Sequence, residues 1–177
     1  RAVWLSVLMV GEMLTATAMG HFESEITKAV VLTLFVPLII SSGGNAGSQA
    51  ATLVIRAMAL GEVKLKDWWR VASRELLSGL ALGVILAVIG FLRIFISQAA
   101  FNGYGPHANY VALTVAISLL GVVTWGTISG STLPFLLRRL GFDPASASAP
   151  FVATLVDVVG LIIYFSMAIL LLKGTLL

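Results

Sequence analysis

Asp157 is the residue whose type and position most clearly suggest chemistry. It lies in the apolar segment APFVATLVDVVGLIIYF, with no basic residue within a dozen positions on either side. Counted from Ser146, it sits about 16 Å along a helix, close to the middle of a hydrocarbon core about 30 Å thick. An isolated charge there costs roughly 2.5 to more than 10 kcal/mol. Asp157 therefore needs a cavity, a partner or a cation, and we interpret it as a functional residue. The alternatives are a protonated Asp hydrogen-bonded between helices, or one paired with Arg93 or Arg56.

The neighbours of Asp157 leave space beside it. Ala153 and Thr154 precede it by four and three residues and Gly160 follows by three, so small side chains share its helix face. A hydrated ion needs such space. Pro150 lacks a backbone donor, and we expect this to turn the Ala153 carbonyl toward the space. Ala153 is therefore a second candidate ligand, and Thr154 and Pro150 are candidates for lining an ion path.

A second polar feature lies in the segment SSGGNAGSQAATLVIR. Asn45, Gln49, Thr52 and Arg56 follow near-helical spacing and form one polar edge of an otherwise apolar segment. Water or an ion is expected to run along this polar edge. The alternative is that Asn45 and Gln49 are interhelical hydrogen-bonding groups, which membrane helices commonly use. The adjacent glycines favour a pore.

Other side chains suggest less. Glu12, in the first apolar segment, is either a further ion ligand or a buried partner for a basic residue. His21 and His107 lie between apolar segments and, with no Cys in the chain, cannot complete a transition-metal site. The run GTISGS at 126–131 resembles a serine-nucleophile turn but has no histidine within a span to act as base. An aspartyl protease needs two deep carboxylates, and only Asp157 is deep. We therefore expect no enzyme.

These residues belong to an all-α membrane protein. Of the 177 residues, 59% are hydrophobic and 11% charged, and the mean hydropathy is +1.03. The formal charge of +3 comes from the ends of apolar runs, so it predicts contact with a lipid bilayer and not with nucleic acid. Spans need about 20 apolar residues. Five are predicted, at approximately 3–19, 29–60, 76–96, 110–137 and 146–172.

The second predicted span is too long for a straight helix across the bilayer. A helix over 29–60 would be about 48 Å long. Pro37 and the glycine-rich run at 42–47 are expected to interrupt it, because proline removes a donor and glycine weakens helices. If the helix stayed straight from Ala29, Asn45 would lie about 24 Å deep, several ångströms deeper than Asp157. Elsewhere, the glycine pairs 79/83 and 126/130 are expected to let helices approach closely.

The distribution of basic residues predicts the orientation, since Lys and Arg are retained on the cytoplasmic side. With five spans, one side of the membrane holds Lys28, Arg93 and Lys173. The larger set on the other side predicts a cytoplasmic N-terminus and an external C-terminus in the cell membrane. That set is Arg1, Arg56, Lys64, Lys66, Arg70, Arg74, Arg138 and Arg139.

Two blocks of the sequence together resemble a known family. They are PLIISSGGNAGSQAATLVIRA at 37–57 and DPASASAPFVATLVDVVGLIIYF at 143–165, and they are similar to the transmembrane domain of the MgtE family of magnesium channels. The resemblance covers essentially all five spans. It implies a homodimer whose second and fifth helices line a pore on the two-fold axis, where Asp157 of both subunits binds the ion. It rests on Pro37, Gly43, Gly44, Asn45, Gly47, Gln49, Pro144, Pro150, Thr154 and Asp157.

The resemblance also implies the ion and the domain content. Mg²⁺ loses water slowly, so its site is expected to hold the hydrated ion through carboxylates and water-mediated contacts; Mn²⁺, Co²⁺ or Ca²⁺ are possible there. Family members have a cytosolic N-terminal domain and CBS domains that are not in these 177 residues, so residues 1–177 are expected to be a single transmembrane pore domain of a longer protein. The expected metal site is Asp157, Ala153, Asn45, Gly44 and Gly47, with Gln49, Thr154 and Pro150 as pore lining.

Two other functions stay open at this stage. A proton- or sodium-coupled carrier for the divalent ion would use Asp157 as a group that titrates during turnover. A non-transporting membrane assembly subunit would use Asp157 only to pair with a partner helix.

Overall fold

The computed structural model describes residues 2–101, 104–174 and 176, with no strand among them. Arg1, counted above for the orientation, lies outside the described residues, as does the side chain of Ser146. In this described part of the chain, six α-helices are joined by short turns and by two 3₁₀ segments, Val30–Phe35 and Leu65–Asp67. The helices are α1 Ala2–His21, α2 Glu23–Lys28, α3 Val36–Ala59, α4 Trp68–Phe101, α5 Ala108–Arg139 and α6 Pro144–Leu172.

The all-α class and the five spans are confirmed. Within the described residues, five helical segments are long and apolar enough to cross a membrane. The short α2 lies between the first and second of them and is too short to cross. The five segments are Ala2–His21, Val30–Ala59, Leu65–Ala100, Ala108–Arg139 and Ala149–Leu172.

The predicted glycine-rich interruption of the second span is wrong. Helix α3 continues without a break through residues 42–47, and the irregularity lies upstream, at Ala29 (φ −130°, ψ 69°) and the 3₁₀ segment after it. Pro37 lies in the first turn of α3, where its missing N–H has no helical acceptor to lose. The glycines remain helical because close packing against α5 offsets their low helix propensity.

Helix α5 is the central helix of the bundle and packs on α3, α4 and α6. It crosses α3 where glycines face glycines: a Cβ built on Gly130 would lie 2.7 Å from the carbonyl carbon of Gly47, and one on Gly126 would lie 3.0 Å from that of Gly43. Residue numbers rise together along both helices, so α3 and α5 are parallel. The predicted close-packing role of the pair Gly126 and Gly130 is confirmed.

Helix α4 packs antiparallel on the opposite side of α5. The Cβ positions of Gly79 and Gly83 would meet Thr127 and Leu120, respectively, and the Thr127 hydroxyl donates to the Glu75 carbonyl at 3.4 Å. These contacts confirm the predicted close-packing role of Gly79 and Gly83.

Helix α1 lies at the periphery and packs on α6. It has no buried residue, which fits a helix that faces lipid on most sides. The Trp4 ring packs edge-on against Phe142 and Phe151, with centroids 5.9 and 5.5 Å away. Further along, Gly11 meets Thr154 of α6, so the two helices run parallel.

Helix α6 is anchored at its start and along its length. The Asp143 carboxylate caps it by accepting from the backbone N–H of Ala145 at 3.0 Å. Near the other end, the buried Tyr164 hydroxyl donates to the Leu32 carbonyl at 2.8 Å. This bond ties the 3₁₀ segment that precedes α3 to α6.

Candidate ion pathway

Asp157 is partly exposed in the middle of α6. No described residue forms a hydrogen bond or an ion pair with its carboxylate. Of the two basic residues considered as partners, Arg93 donates to the Ser97 hydroxyl on its own helix, and Arg56 is exposed in the last turn of α3. The carboxylate is therefore available to a ligand.

Packing of α3 against α6 brings the polar edge close to the level of Asp157. Gly43 meets Val156, and Gly47 meets Val152, so the two helices are antiparallel and Asp157 lies nearly level with Gly43. Asn45 is then about three residues, or about 4.5 Å, from the level of Asp157 along the helix axis. This offset agrees with the several ångströms expected from the sequence.

The polar edge is open along α3. Asn45, Gln49 and Thr52 are exposed, and they line a shallow pocket of about 550 Å³ together with Ser48 and Leu53. Thr52 donates to the Ser48 carbonyl, and Asn45 donates to the Ser41 hydroxyl at 3.4 Å, both within α3. No hydrogen bond joins the polar edge to another described helix, so Asn45 and Gln49 do not act as interhelical hydrogen-bonding groups within the described part of the chain.

The two glycines predicted at the site face different surroundings. A Cβ on Gly44 would meet nothing within 4 Å, so this position is open beside the polar edge. Gly47 is buried, and its Cβ would meet the Gly126 carbonyl oxygen at 2.7 Å. The structure therefore brings Gly44 and Asn45 to the open face and puts Gly47 in the packing with α5.

Pro150 does not disturb α6 in the way that was expected. The helix continues through it, because the donor that proline lacks would serve the carbonyl of residue 146, one turn earlier, and not that of Ala153. Ala153 is half-buried, and its carbonyl has a second lone pair for a water in addition to the helical hydrogen bond. Thr154 donates to the Pro150 carbonyl at 3.2 Å and packs on Gly11 of α1.

Glu12, for which the sequence left open a further ion ligand or a buried partner for a basic residue, lies beside Asp157. Gly11 packs on Thr154, which places Glu12 of α1 within about one turn of Asp157 along the parallel helices. The two carboxylates are close enough for their charges to interact. Among the described residues there is no group of three or more His, Cys, Asp or Glu that could hold a metal ion. One chain therefore offers at most two carboxylates near this point.

Comparison with known proteins decides the family. The MgtE family, described as divalent cation transporters, matches residues 36–167, which include α3, α4, α5 and most of α6. The chain belongs to the MgtE family. Its members are transporters or channels and not enzymes, and the expectation of no enzyme is confirmed.

Individual relatives share similarity over nearly the whole chain. The chain is 40% identical over 174 residues to the magnesium transporter MgtE of Thermus thermophilus, covering 98% of this chain and 37% of the relative. It is 32% identical to that of Enterococcus faecalis and 31% identical to that of Bacillus subtilis, each over 95% of this chain and 35% and 36% of the relative. The chain thus spans just over a third of the length of these MgtE relatives.

Proposed function

We propose that this chain is the pore of a magnesium channel in the cell membrane, with residues 1–177 forming a single transmembrane domain. Two subunits form a homodimer with α3 and α6 of each around the two-fold axis, and hydrated Mg²⁺ passes between them. Asp157 of both subunits binds the ion. The N-terminus is cytoplasmic and the C-terminus is outside.

The observation that supports this proposal best is the uncovered polar edge. Asn45, Gln49 and Thr52 are exposed within a span, and polar groups that face hydrocarbon with unsatisfied hydrogen-bonding capacity cost on the order of 2–7 kcal/mol each. Water in a pore, or a second subunit, removes that cost. Asp157 lies within about one turn of the level of Asn45 and has no hydrogen-bond or ion-pair partner among the described residues. Its charge therefore also requires water or a cation.

The chemistry of these groups fits a hydrated divalent ion. Two Asp157 carboxylates, one from each subunit, balance the two positive charges of Mg²⁺, and they repel each other when no cation lies between them. The Asn45 amide and the carbonyls of Gly44 and Ala153 are oxygen acceptors for the waters of the ion. Gln49 continues the lining along α3. Water-mediated contacts of this kind also admit Mn²⁺, Co²⁺ or Ca²⁺.

Flux of Mg²⁺ into liposomes containing the purified protein tests the role of Asp157. Asp157→Asn keeps the size of the side chain and removes its charge, and flux is expected to fall at least tenfold. Glu75→Gln is the matched control, because Glu75 is also a partly buried carboxylate within a span but lies on α4, away from the pathway. Equal flux in wild type and Asp157→Asn would refute the proposal.

Engineered cysteines test the dimer. The chain has no Cys, so Gln49→Cys introduces a single thiol on the polar edge, and mild oxidation is expected to produce a covalent dimer. Leu77→Cys puts the thiol on an exposed apolar position of α4 and is expected to stay monomeric on a denaturing gel. Dimer from Leu77→Cys and none from Gln49→Cys would place the interface on α4.

The pair Glu12 and Asp157 gives a reason to test proton coupling as well. Neighbouring carboxylates can share a proton, and a coupled carrier would move protons with each ion. Mg²⁺ flux with and without an imposed pH gradient separates the two functions. A channel follows the membrane potential and the Mg²⁺ gradient alone, whereas a proton-coupled carrier concentrates Mg²⁺ when only the pH gradient is present.

A further inference from the structure

A groove at one end of the bundle has no role in the proposed pore. It lies between the second 3₁₀ segment with the start of α4 and the end of α5, and its volume is about 540 Å³. Leu65, Trp68, Phe135 and Leu136 form its apolar wall. Lys66 and Arg139 lie at the same groove, and we call this site the interfacial groove.

The two cations of the interfacial groove are not neutralised by any residue that the structure describes. Neither Lys66 nor Arg139 forms an ion pair with another described residue. The nearest carboxylate in sequence, Asp67, accepts from the backbone N–H of Lys64 at 2.9 Å. A groove with apolar walls and two unpaired cations is complementary to a molecule with an apolar body and an anionic head.

The position of the groove relative to the bilayer selects the kind of molecule. Leu65, Trp68 and Leu136 are 42%, 48% and 52% exposed, and the groove lies where the spans beginning at Leu65 and ending at Arg139 meet. Trp at the end of a span lies at headgroup depth, where basic side chains reach lipid phosphates. Acyl chains then reach the apolar wall while the head remains at the rim.

A second pocket repeats this arrangement on the other side of Leu65. It has a volume of about 360 Å³ and is lined by Met58, Val63, Lys64 and Arg138 among others. Two cations again lie beside apolar side chains: Lys64, just before the 3₁₀ segment, and Arg138 of α5. Repetition of cation and apolar side chain is what a surface built for anionic lipid requires.

We propose that the interfacial groove binds one anionic phospholipid, with its phosphate between Lys66 and Arg139 and its acyl chains along Trp68, Phe135 and Leu136. The site is separate from the proposed pore, so the lipid proposal can be tested independently of the role of Asp157. A lipid there would join the start of α4 to the end of α5.

Quenching of Trp68 fluorescence by brominated lipids tests the proposal. Replacing Trp4, Trp69 and Trp125 by Phe leaves Trp68 as the reporter, and bilayers contain brominated phosphatidylglycerol in unlabelled phosphatidylcholine, or the reverse. Each cation near the surface contributes about 1 kcal/mol, or about fivefold in affinity. We expect a preference for phosphatidylglycerol of about tenfold or more, falling to near one in the double variant Lys66→Gln with Arg139→Gln.

The matched control is Arg70→Gln with Arg74→Gln. It removes the same charge on neighbouring residues that line none of the pockets described here, and the preference is expected to persist. Quenching in bilayers made only of brominated phosphatidylcholine should be the same in all variants, which checks that Trp68 keeps its contact with lipid. Inorganic phosphate in solution should not displace the lipid.

Three results would each overturn the proposal. Absence of a headgroup preference in the reporter protein would leave the interfacial groove to another occupant, such as a polypeptide segment. An equal loss in the Arg70 and Arg74 variant would mean general surface attraction without a site. Displacement by inorganic phosphate would mean that the head alone binds.

Discussion

Replacing Gly130 by Ala tests the helix crossing that positions the polar edge. The added Cβ would lie 2.7 Å from the carbonyl carbon and 2.8 Å from the Cα of Gly47. Carbon atoms in contact keep about 3.5 Å, and the Gly47 carbonyl oxygen lies closer still, so α3 must move away from α5 by at least about 0.8 Å. The atoms it meets are backbone and have no side-chain rotation with which to yield.

The expected loss of stability is the cost of overpacking minus the gain in helix propensity from replacing glycine by alanine. Overpacking a close contact costs about 1–3 kcal/mol, and a rigid backbone contact belongs at the upper end of that range. Alanine in place of glycine returns up to about 1 kcal/mol through helix propensity. The net loss of stability is expected to be about 1–2 kcal/mol.

Thermal unfolding in detergent, followed by tryptophan fluorescence, measures this loss. Gly44→Ala is the matched control, because a Cβ there meets nothing within 4 Å and only helix propensity changes; its stability should equal or exceed that of the wild type. Gly47→Ala strains the same crossing, so the double variant with Gly130→Ala should lose less than the sum of the single variants. If Gly130→Ala unfolds at the same temperature as Gly44→Ala, the close crossing is refuted.

Three further outcomes are expected. Tyr164→Phe removes the hydrogen bond to the Leu32 carbonyl and should lower stability by about 1 kcal/mol in the same thermal assay. Gln49→Leu removes an amide from the polar edge and should reduce Mg²⁺ flux in liposomes about fivefold, the equivalent of one lost hydrogen bond, with no loss of stability. The hydrogen bond from the Ser24 hydroxyl holds the pKa of Glu25 below its usual 4.5, so Ser24→Ala should raise the pKa of Glu25 in an NMR titration. The stabilisation from this bond is present above pH 4.5 and is lost as the pH falls through the lowered pKa.

Each of these has a control and a contrary result. Tyr110→Phe removes a hydroxyl from an exposed ring and should leave stability unchanged; equal effects of Tyr110→Phe and Tyr164→Phe would contradict the role of the Leu32 bond. Leu53→Ala, in the same pocket as Gln49, should affect flux less than Gln49→Leu. An unchanged pKa of Glu25 in Ser24→Ala would mean that Lys28 and the backbone account for the shift.

The spans were predictable from the sequence because burial in lipid imposes a simple rule. A helix in hydrocarbon must be apolar over about 20 residues, and each of the five predicted segments satisfies it. The break before α3 was placed wrongly because both proline and glycine weaken an isolated helix. The effect of these residues depends on position, and Pro37 in a first turn does not interrupt the helix. The irregular backbone lies at Ala29, and alanine is not a residue type that indicates a helix break.

The candidate site was predictable in its parts but not in its arrangement. Asp157 and the polar edge stand out because charged and amide groups are costly at membrane depth. Spacing within one helix says nothing about which helix lies beside it, so the approach of Glu12 to Asp157 and the level of Asn45 depend on packing between helices. The Ala153 carbonyl was misjudged for a local reason, since the proline effect falls four residues earlier in the chain.

The glycines of α3 can indicate either a break in the helix or a close crossing with another helix, and the neighbouring helix distinguishes the two. Consecutive spans cross the membrane in opposite directions, so the second and fourth spans, α3 and α5, must run in the same direction. Gly43 and Gly47 then match Gly126 and Gly130 in spacing and direction, which is the condition for two helices to cross at glycine contacts. Gly44 has no counterpart on α5 and stays open. A glycine run in a membrane helix is therefore expected to be helical when a parallel neighbour has glycines at the same spacing, and the glycine left over lies on a face that this packing leaves open.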